Sequence, residues 1–242
     1  MCGIVGYLGD KNAKDVILSG LKRLEYRGYD SAGISTMHSN IMEVTKIKGK
    51  VDELLASIPD GSHNGGMGIG HTRWATHGAP NIENAHPHKD NKGIFSLVHN
   101  GIIENYNTLK GLLKENGIIC QTDTDTEVLV QFIGYLYEKE KLTFAEVVRM
   151  ALKEVVGAYG IVIMCEDEPE TIIAARLGSP LLLGIGDNEY FIASDSSPII
   201  EYTRNIIFLD EGELAIIKPD HYEVRDINEN QVISKDIEEI KY

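Results

Sequence analysis

Cysteine is scarce in this chain: three in 242 residues, at positions 2, 120 and 165, with no CxxC pair. That excludes a disulfide framework and a cysteine zinc site, and it points to a reducing, cytoplasmic setting. Basic charge is short as well. Lys and Arg number 23 against 37 Asp and Glu, a net charge of −14. Phosphate backbones and anionic membranes both need a basic face, so neither nucleic acid nor a membrane is expected as a partner. No apolar run approaches the ~18 residues that a bilayer-spanning helix requires. The first residues lack a basic segment followed by a long apolar one, so no secretory signal is read there. Repeats of solenoid period and low-complexity linkers are missing too. What remains is an ordinary globular composition, 43% apolar and 25% charged. A chain of this length can bury about three quarters of its unfolded surface without staples.

Strand and helix patterns alternate along it. "CGIVGYL" (2–8) reads as a short buried strand. "NAKDVILSGLKRLEYRG" reads as a helix with Asn12 as N-cap, Ile17, Leu21 and Leu24 on one face, and Gly28 as its stop. "SAGISTM" and "IMEVTKIK" are β runs around Ser39-Asn40, and "DELLAS" is a short helix before Pro59. "IFSLVHN" is a strand ending at Asn100-Gly101. Helical stretches follow at 105–116, 126–139 and 143–156, the last with Thr143 as N-cap and Phe144, Val147, Ala151 and Val155 on one stripe. From residue 158 onward the pattern is mostly β, with a turn at Asp210-Glu211-Gly212. The segment 221–242 is polar and shows no packing face after Ile233. A helical middle between β ends suits antiparallel sheets covered by helices, an α+β chain read as one domain.

The residues that carry chemistry fall in a few short stretches. Cys2 follows Met1 directly. A thiol nucleophile needs a base. Removal of Met1 gives Cys2 a free α-amine with a pKa near ~8, which can take the thiol proton directly or through a water. A small residue buried at the head of a strand is the alternative. "HNG" (99–101) ends an apolar strand. Asn100 offers a side-chain amide donor and Gly101 an unobstructed backbone N–H, the donors that an oxyanion of acyl transfer needs. A hairpin turn is the alternative there. "GHTRWATHG" (70–78) packs an arginine and the only tryptophan between glycines. Arg73 can clamp a carboxylate, and Trp74 suits a cover that excludes water. A surface loop is the alternative. "TDTDTE" (122–127) sets Asp123 and Asp125 before a helix, one suited to capping and the other to facing an ammonium group. Arg and Asp together describe a pocket for an α-amino acid.

Two over-readings are set aside. "GGMGIG" and "GIGDNE" miss the GxGxxG spacing and read as turns. The histidines at 63, 71, 77, 86, 88 and 99 contain no HExxH or HxxEH, and His86-Pro87-His88 suits a turn as well as a metal. No metal and no other cofactor is expected.

Nine stretches in order are recognisable: "CGIVGYLG", "RLEYRGYDSAGI", "GHTRWATHG", "NAHPH", "VHNGIIENY", "TDTDTEV", "GAYGIVIM", "AARLGSPL" and "FIASD". Together they resemble the glutaminase domain of the glucosamine-6-phosphate synthase family, class II glutamine amidotransferases, from Cys2 to about residue 218. The "RGPD" of asparagine synthetases and the "HxRYST" of phosphoribosylpyrophosphate amidotransferases match it less well. The resemblance implies an N-terminal-nucleophile hydrolase fold, a four-layer α/β/β/α sandwich with two antiparallel sheets. It implies Cys2 as nucleophile with its freed α-amine as base, and Asn100 and Gly101 as oxyanion donors. It implies Arg73 as partner of the glutamine α-carboxylate, with Thr76 and His77 lining the same loop, and Asp125 as partner of the α-ammonium. Trp74 then belongs to the loop that closes over glutamine, and Arg27 lies next to the cysteine. L-glutamine is the implied substrate, hydrolysed to glutamate and ammonia. In the family the chain continues into sugar isomerase domains that use the ammonia on fructose 6-phosphate. Residues from about 219 to Tyr242 correspond to the extension toward them. A homodimer is compatible with this reading. A non-catalytic amino-acid-binding module and a metal-dependent amidohydrolase using His63–His99 are the rivals.

Overall fold

The computed structural model describes residues 2–75 and 78–240. Its first half runs β1 (Gly3–Leu8), α1 (Ala13–Leu24), β2 (Ser31–His38), β3 (Ile41–Lys48), α2 (Val51–Ser57), β4 (Met67–Arg73), β5 (His88–Lys89) and β6 (Phe95–Ile103). Three helices follow, α3 (Tyr106–Glu115), α4 (Asp125–Glu140) and α5 (Phe144–Glu154). The chain then returns to strands: β7 (Gly157–Cys165), β8 (Ile172–Leu177), β9 (Leu182–Ile185), β10 (Tyr190–Ala193), β11 (Asn205–Phe208) and β12 (Glu213–Ile217). Short strands β13 (Tyr222–Asp226), β14 (Val232–Ile233) and β15 (Glu238–Glu239) complete it.

Among the described residues these strands make two sheets. One has the order β15-β11-β9-β10-β1-β4-β2-β3, the other β14-β13-β12-β8-β7-β6-β5. Every pairing between named strands is antiparallel. Period-2 alternation decides how they stack. Ile4 and Leu8 of β1 face the other sheet, where they meet a core that includes Val98 of β6 and Val162 and Met164 of β7. Val5 and Tyr7 point the opposite way, onto Ile17, Leu21 and Leu24 of α1 and Leu54 of α2. On the second sheet Leu97, Ile161 and Ile163 turn outward to α3, α4 and α5. The result is the four-layer α/β/β/α sandwich that the resemblance implied. No described helix is long and apolar enough to cross a membrane.

Local signals acted as read at several places. Asn12 caps α1 by accepting the Lys14 N–H at 2.9 Å, and Thr143 opens α5 with a capping box to Glu146. Ser39 and Asn40 adopt positive φ at the β2–β3 turn. Three expectations need correction. The strand through "IFSLVHN" does not end in a turn at Asn100-Gly101: β6 runs on to Ile103 and pairs with β7 throughout. Neither aspartate of "TDTDTE" caps α4, because Thr124 accepts the Glu127 N–H and Asp125 is the first helical residue. The tail after Ile233 does find a place: β15 pairs with β11, and Ile240 packs on the α1-side core.

Candidate active site

Strand register places Cys2. Gly3 of β1 pairs with Thr72 of β4, so the residue before β1 lies beside the residues that end β4. The Trp74 N–H donates to the Cys2 thiol at 3.2 Å, and the Trp74 carbonyl lies 3.6 Å from the same sulfur. Burial pushes the thiol pKa up, while the Trp74 N–H and the Arg73 charge pull it down. The Asn100 amide nitrogen, reaching across from the second sheet, donates to the Cys2 carbonyl at 3.2 Å.

Arg73 is nearly fully buried. It donates to the carbonyls of Ala79 at 3.2 Å and Gly78 at 3.4 Å, and it stands 4.0 Å from Asp30. Asp30 also accepts the Ala75 N–H. The Trp74 indole is half exposed and lies over Gly28, where a Cβ would come within 2.4 Å of it. Gly28 therefore both ends the helical segment, with φ +110°, and seats the tryptophan.

Gly101 is required by its surroundings. Its φ is +127°, and a Cβ there would sit 2.1 Å from the Ala158 carbonyl of β7. An L-residue meets both backbone strain and a clash at this position. Two residues on, the Ile103 N–H donates to Asp125 at 2.8 Å, which ties the end of β6 to the first turn of α4. Arg27, in the short 3₁₀ turn Glu25–Arg27, is ion-paired with Asp195 just after β10.

Cys2, Arg27, Arg73, Trp74, Asn100, Gly101 and Asp125 all line one cavity of about 430 Å³. Thr76 and His77, the other two expected site residues, lie outside the described residues.

A group of buried imidazoles adjoins the cavity, and two of them, His86 and His99, reach its wall. His71 and His86 stack with centroids 4.2 Å apart, and His88 meets His86 edge-on at 4.8 Å. Thr126 of α4 bonds both His86 at 2.8 Å and His99 at 3.0 Å, while Thr124 bonds His88 at 3.2 Å. Burial lowers the pKa of all four histidines, that of His71 to about 3. Thr126 bridges His86 and His99 while the other rings meet directly, and no described group of three His, Cys, Asp or Glu is arranged to hold a metal. Sequence spacing had raised these histidines only as metal candidates. Their bonds to Thr124 and Thr126 carried no signal, because the partners are far apart along the chain.

A model of the glutamine amidotransferase domain matches residues 47–241. The chain belongs to this family. It is 50% identical over 218 residues to a glutamine–fructose-6-phosphate aminotransferase (isomerizing) of Bacteroides thetaiotaomicron, covering 90% of this chain and 36% of that protein. The enzyme of the same name from Pyrococcus horikoshii is 47% identical over 244 residues, covering 100% of this chain and 40% of the relative. The domain thus spans about two fifths of the length of the curated relatives it matches. Among solved structures it is similar to the glutamine phosphoribosylpyrophosphate amidotransferase from B. subtilis complexed with ADP and GMP. That match has a TM-score of 0.79 at 28% identity, over 95% of this chain and 50% of the other. A structure described as the allosteric regulatory enzyme of purine biosynthesis matches with a TM-score of 0.81 at 29% identity, over the same shares.

Proposed function

We propose that this amidotransferase domain hydrolyses the side-chain amide of L-glutamine with Cys2 as nucleophile. One observation carries the assignment: a thiol, an amide donor, a glycine N–H, a guanidinium and a carboxylate come from separate elements to one cavity. The carboxylate of Asp125 suits the substrate α-ammonium and Arg73 its α-carboxylate, opposite charges held apart as an amino acid holds them. Trp74 stands at the mouth as the covering residue, and the resemblance assigns Thr76 and His77 to substrate binding as well. Arg27, fixed by Asp195, keeps positive charge near the cysteine.

The chemistry follows. Burial raises the thiol pKa, so the sulfur needs a base at neutral pH. Removal of Met1 frees the Cys2 α-amine, which takes the thiol proton. The thiolate, steadied by the Trp74 N–H, bonds to the amide carbon. Negative charge then rests on the former carbonyl oxygen, facing Asn100 Nδ2 and the Gly101 N–H. The protonated Cys2 amine passes that proton to the leaving nitrogen, the C–N bond breaks, and ammonia departs. Water, deprotonated by the same amine, cleaves the thioester to glutamate and restores the thiol. In a longer protein with sugar isomerase domains the ammonia would be used on fructose 6-phosphate, the acceptor in the relatives' name.

The test is glutamate release by protein shown by intact mass to begin at Cys2, compared with Cys2→Ala. Activity only in the former supports the proposal, and equal rates end it. A covalent adduct of one glutamyl group on trapped wild-type protein would identify the thioester.

A further inference from the structure

His71 does not line the cavity, yet it touches the residue on which the oxyanion assignment depends. Its Nε2 lies 3.1 Å from the His99 carbonyl and 2.9 Å from Asn100 Oδ1. A backbone carbonyl only accepts. The ring nitrogen facing it must therefore carry the proton. The same N–H faces the Asn100 side chain, so the amide atom nearest His71 must be the oxygen. That leaves Nδ2 on the other branch, where it donates to the Cys2 carbonyl and keeps a second N–H.

Both alternatives fail on local contacts. With the proton on Nδ1, a buried N–H would have no acceptor among the described residues. The unprotonated Nε2 would then face two oxygens. With the Asn100 amide turned over, its NH₂ would meet the His71 N–H, and its oxygen would meet the Cys2 carbonyl. Each arrangement buries like polar atoms against one another and leaves buried groups unsatisfied, which is costly. The stack on His86 holds the ring plane in place.

We propose that His71 is a positioning residue that sets which end of the Asn100 amide faces the developing oxyanion. The order is carbonyl to tautomer, tautomer to amide, amide to oxyanion. Burial lowers the His71 pKa to about 3, so the ring keeps a single proton through the neutral range. The inference rests on Asn100 being the oxyanion donor, and the experiment separates the two.

His71→Phe keeps a planar ring without a donor. His71→Gln places an amide N–H near the old Nε2. Steady-state glutaminase kinetics of His71→Phe should show kcat lowered about 10-fold or more with KM within about twofold, and His71→Gln should recover most of the loss. In an Asn100→Ala background, His71→Phe should change kcat by less than about twofold, because the two act as a unit. If Asn100→Ala leaves kcat intact, the oxyanion assignment itself is wrong. If Asn100→Ala lowers kcat but His71→Phe does not, or if the two losses multiply, the positioning role is overturned. Should His71→Phe fail to fold, ¹⁵N NMR of histidine-labelled wild-type protein decides the matter. A neutral His71 protonated at Nε2 supports the proposal, and protonation at Nδ1 refutes it.

Discussion

Asp30 holds Ala75: its carboxylate accepts the Ala75 N–H while its backbone N–H donates to the Arg73 carbonyl at 2.7 Å. One residue at the head of β2 therefore clamps both sides of Trp74. Asp30→Ala should release this stretch, lowering kcat/KM for glutamine about 10-fold or more, with Asp30→Asn intermediate because it keeps an acceptor. Steady-state glutaminase assays check this, and unchanged kinetics in Asp30→Ala would remove the clamp from the account.

Arg73 and Asp125 are assigned to the two charges of the substrate. Arg73→Ala and Asp125→Asn should each raise KM about 30-fold or more, the result of losing one member of a charge pair worth roughly 2 kcal/mol. Asparagine at 125 keeps an oxygen for the Ile103 N–H, so the strand–helix tie survives. A fall in kcat with unchanged KM in either variant would reverse the assignment.

Gly101→Ala combines a positive φ with a Cβ against the Ala158 carbonyl. The substitution should cost roughly 2 kcal/mol or more, about 4–8 °C in Tm, and should also reduce glutaminase kcat. Differential scanning calorimetry and a kinetic assay on the same sample test both effects. A variant with wild-type Tm would mean that the strand accommodates a side chain there.

Acid should unfold the domain early. His71, His86, His88 and His99 have folded pKa values below the usual 6.5, chiefly through burial. Above 6.5 they are neutral in both states and add no pH dependence. Below it the unfolded chain takes up protons that the folded one refuses, so stability falls as pH drops from 6.5 toward 3. Each imidazole can contribute up to about 1.4 kcal/mol per pH unit in that window. Melts at pH 7.0, 6.0 and 5.0 should show Tm falling progressively. A Tm independent of pH over this range would contradict the burial of these rings.

Much of this was legible in the residues, for identifiable reasons. Period-3.6 patterns at Ile17, Leu21 and Leu24 and at Phe144, Val147 and Ala151 matched buried helix faces, because amphipathic stripes are local and strong. Asn100-Gly101 also resembled a hairpin turn. Pairing with β7 keeps it in a strand, and nothing nearby in the sequence shows that partner. Thr124 won the cap over its neighbouring aspartates, since Asp125 is engaged by a backbone N–H from β6. The histidine group looked like loose metal candidates because its threonine partners lie 27 to 40 residues away. Two-residue strands such as β15 are too short to show any period at all.

That last strand has a consequence for the molecule in a crowded solution. Glu238 and Glu239 form the outer rung of the eight-stranded sheet, where both side chains are exposed. An uncovered rung of N–H and C=O groups recruits strands from neighbouring molecules. Two copies that approached through this edge would set carboxylate against carboxylate, so the sheet is discouraged from growing beyond its own chain.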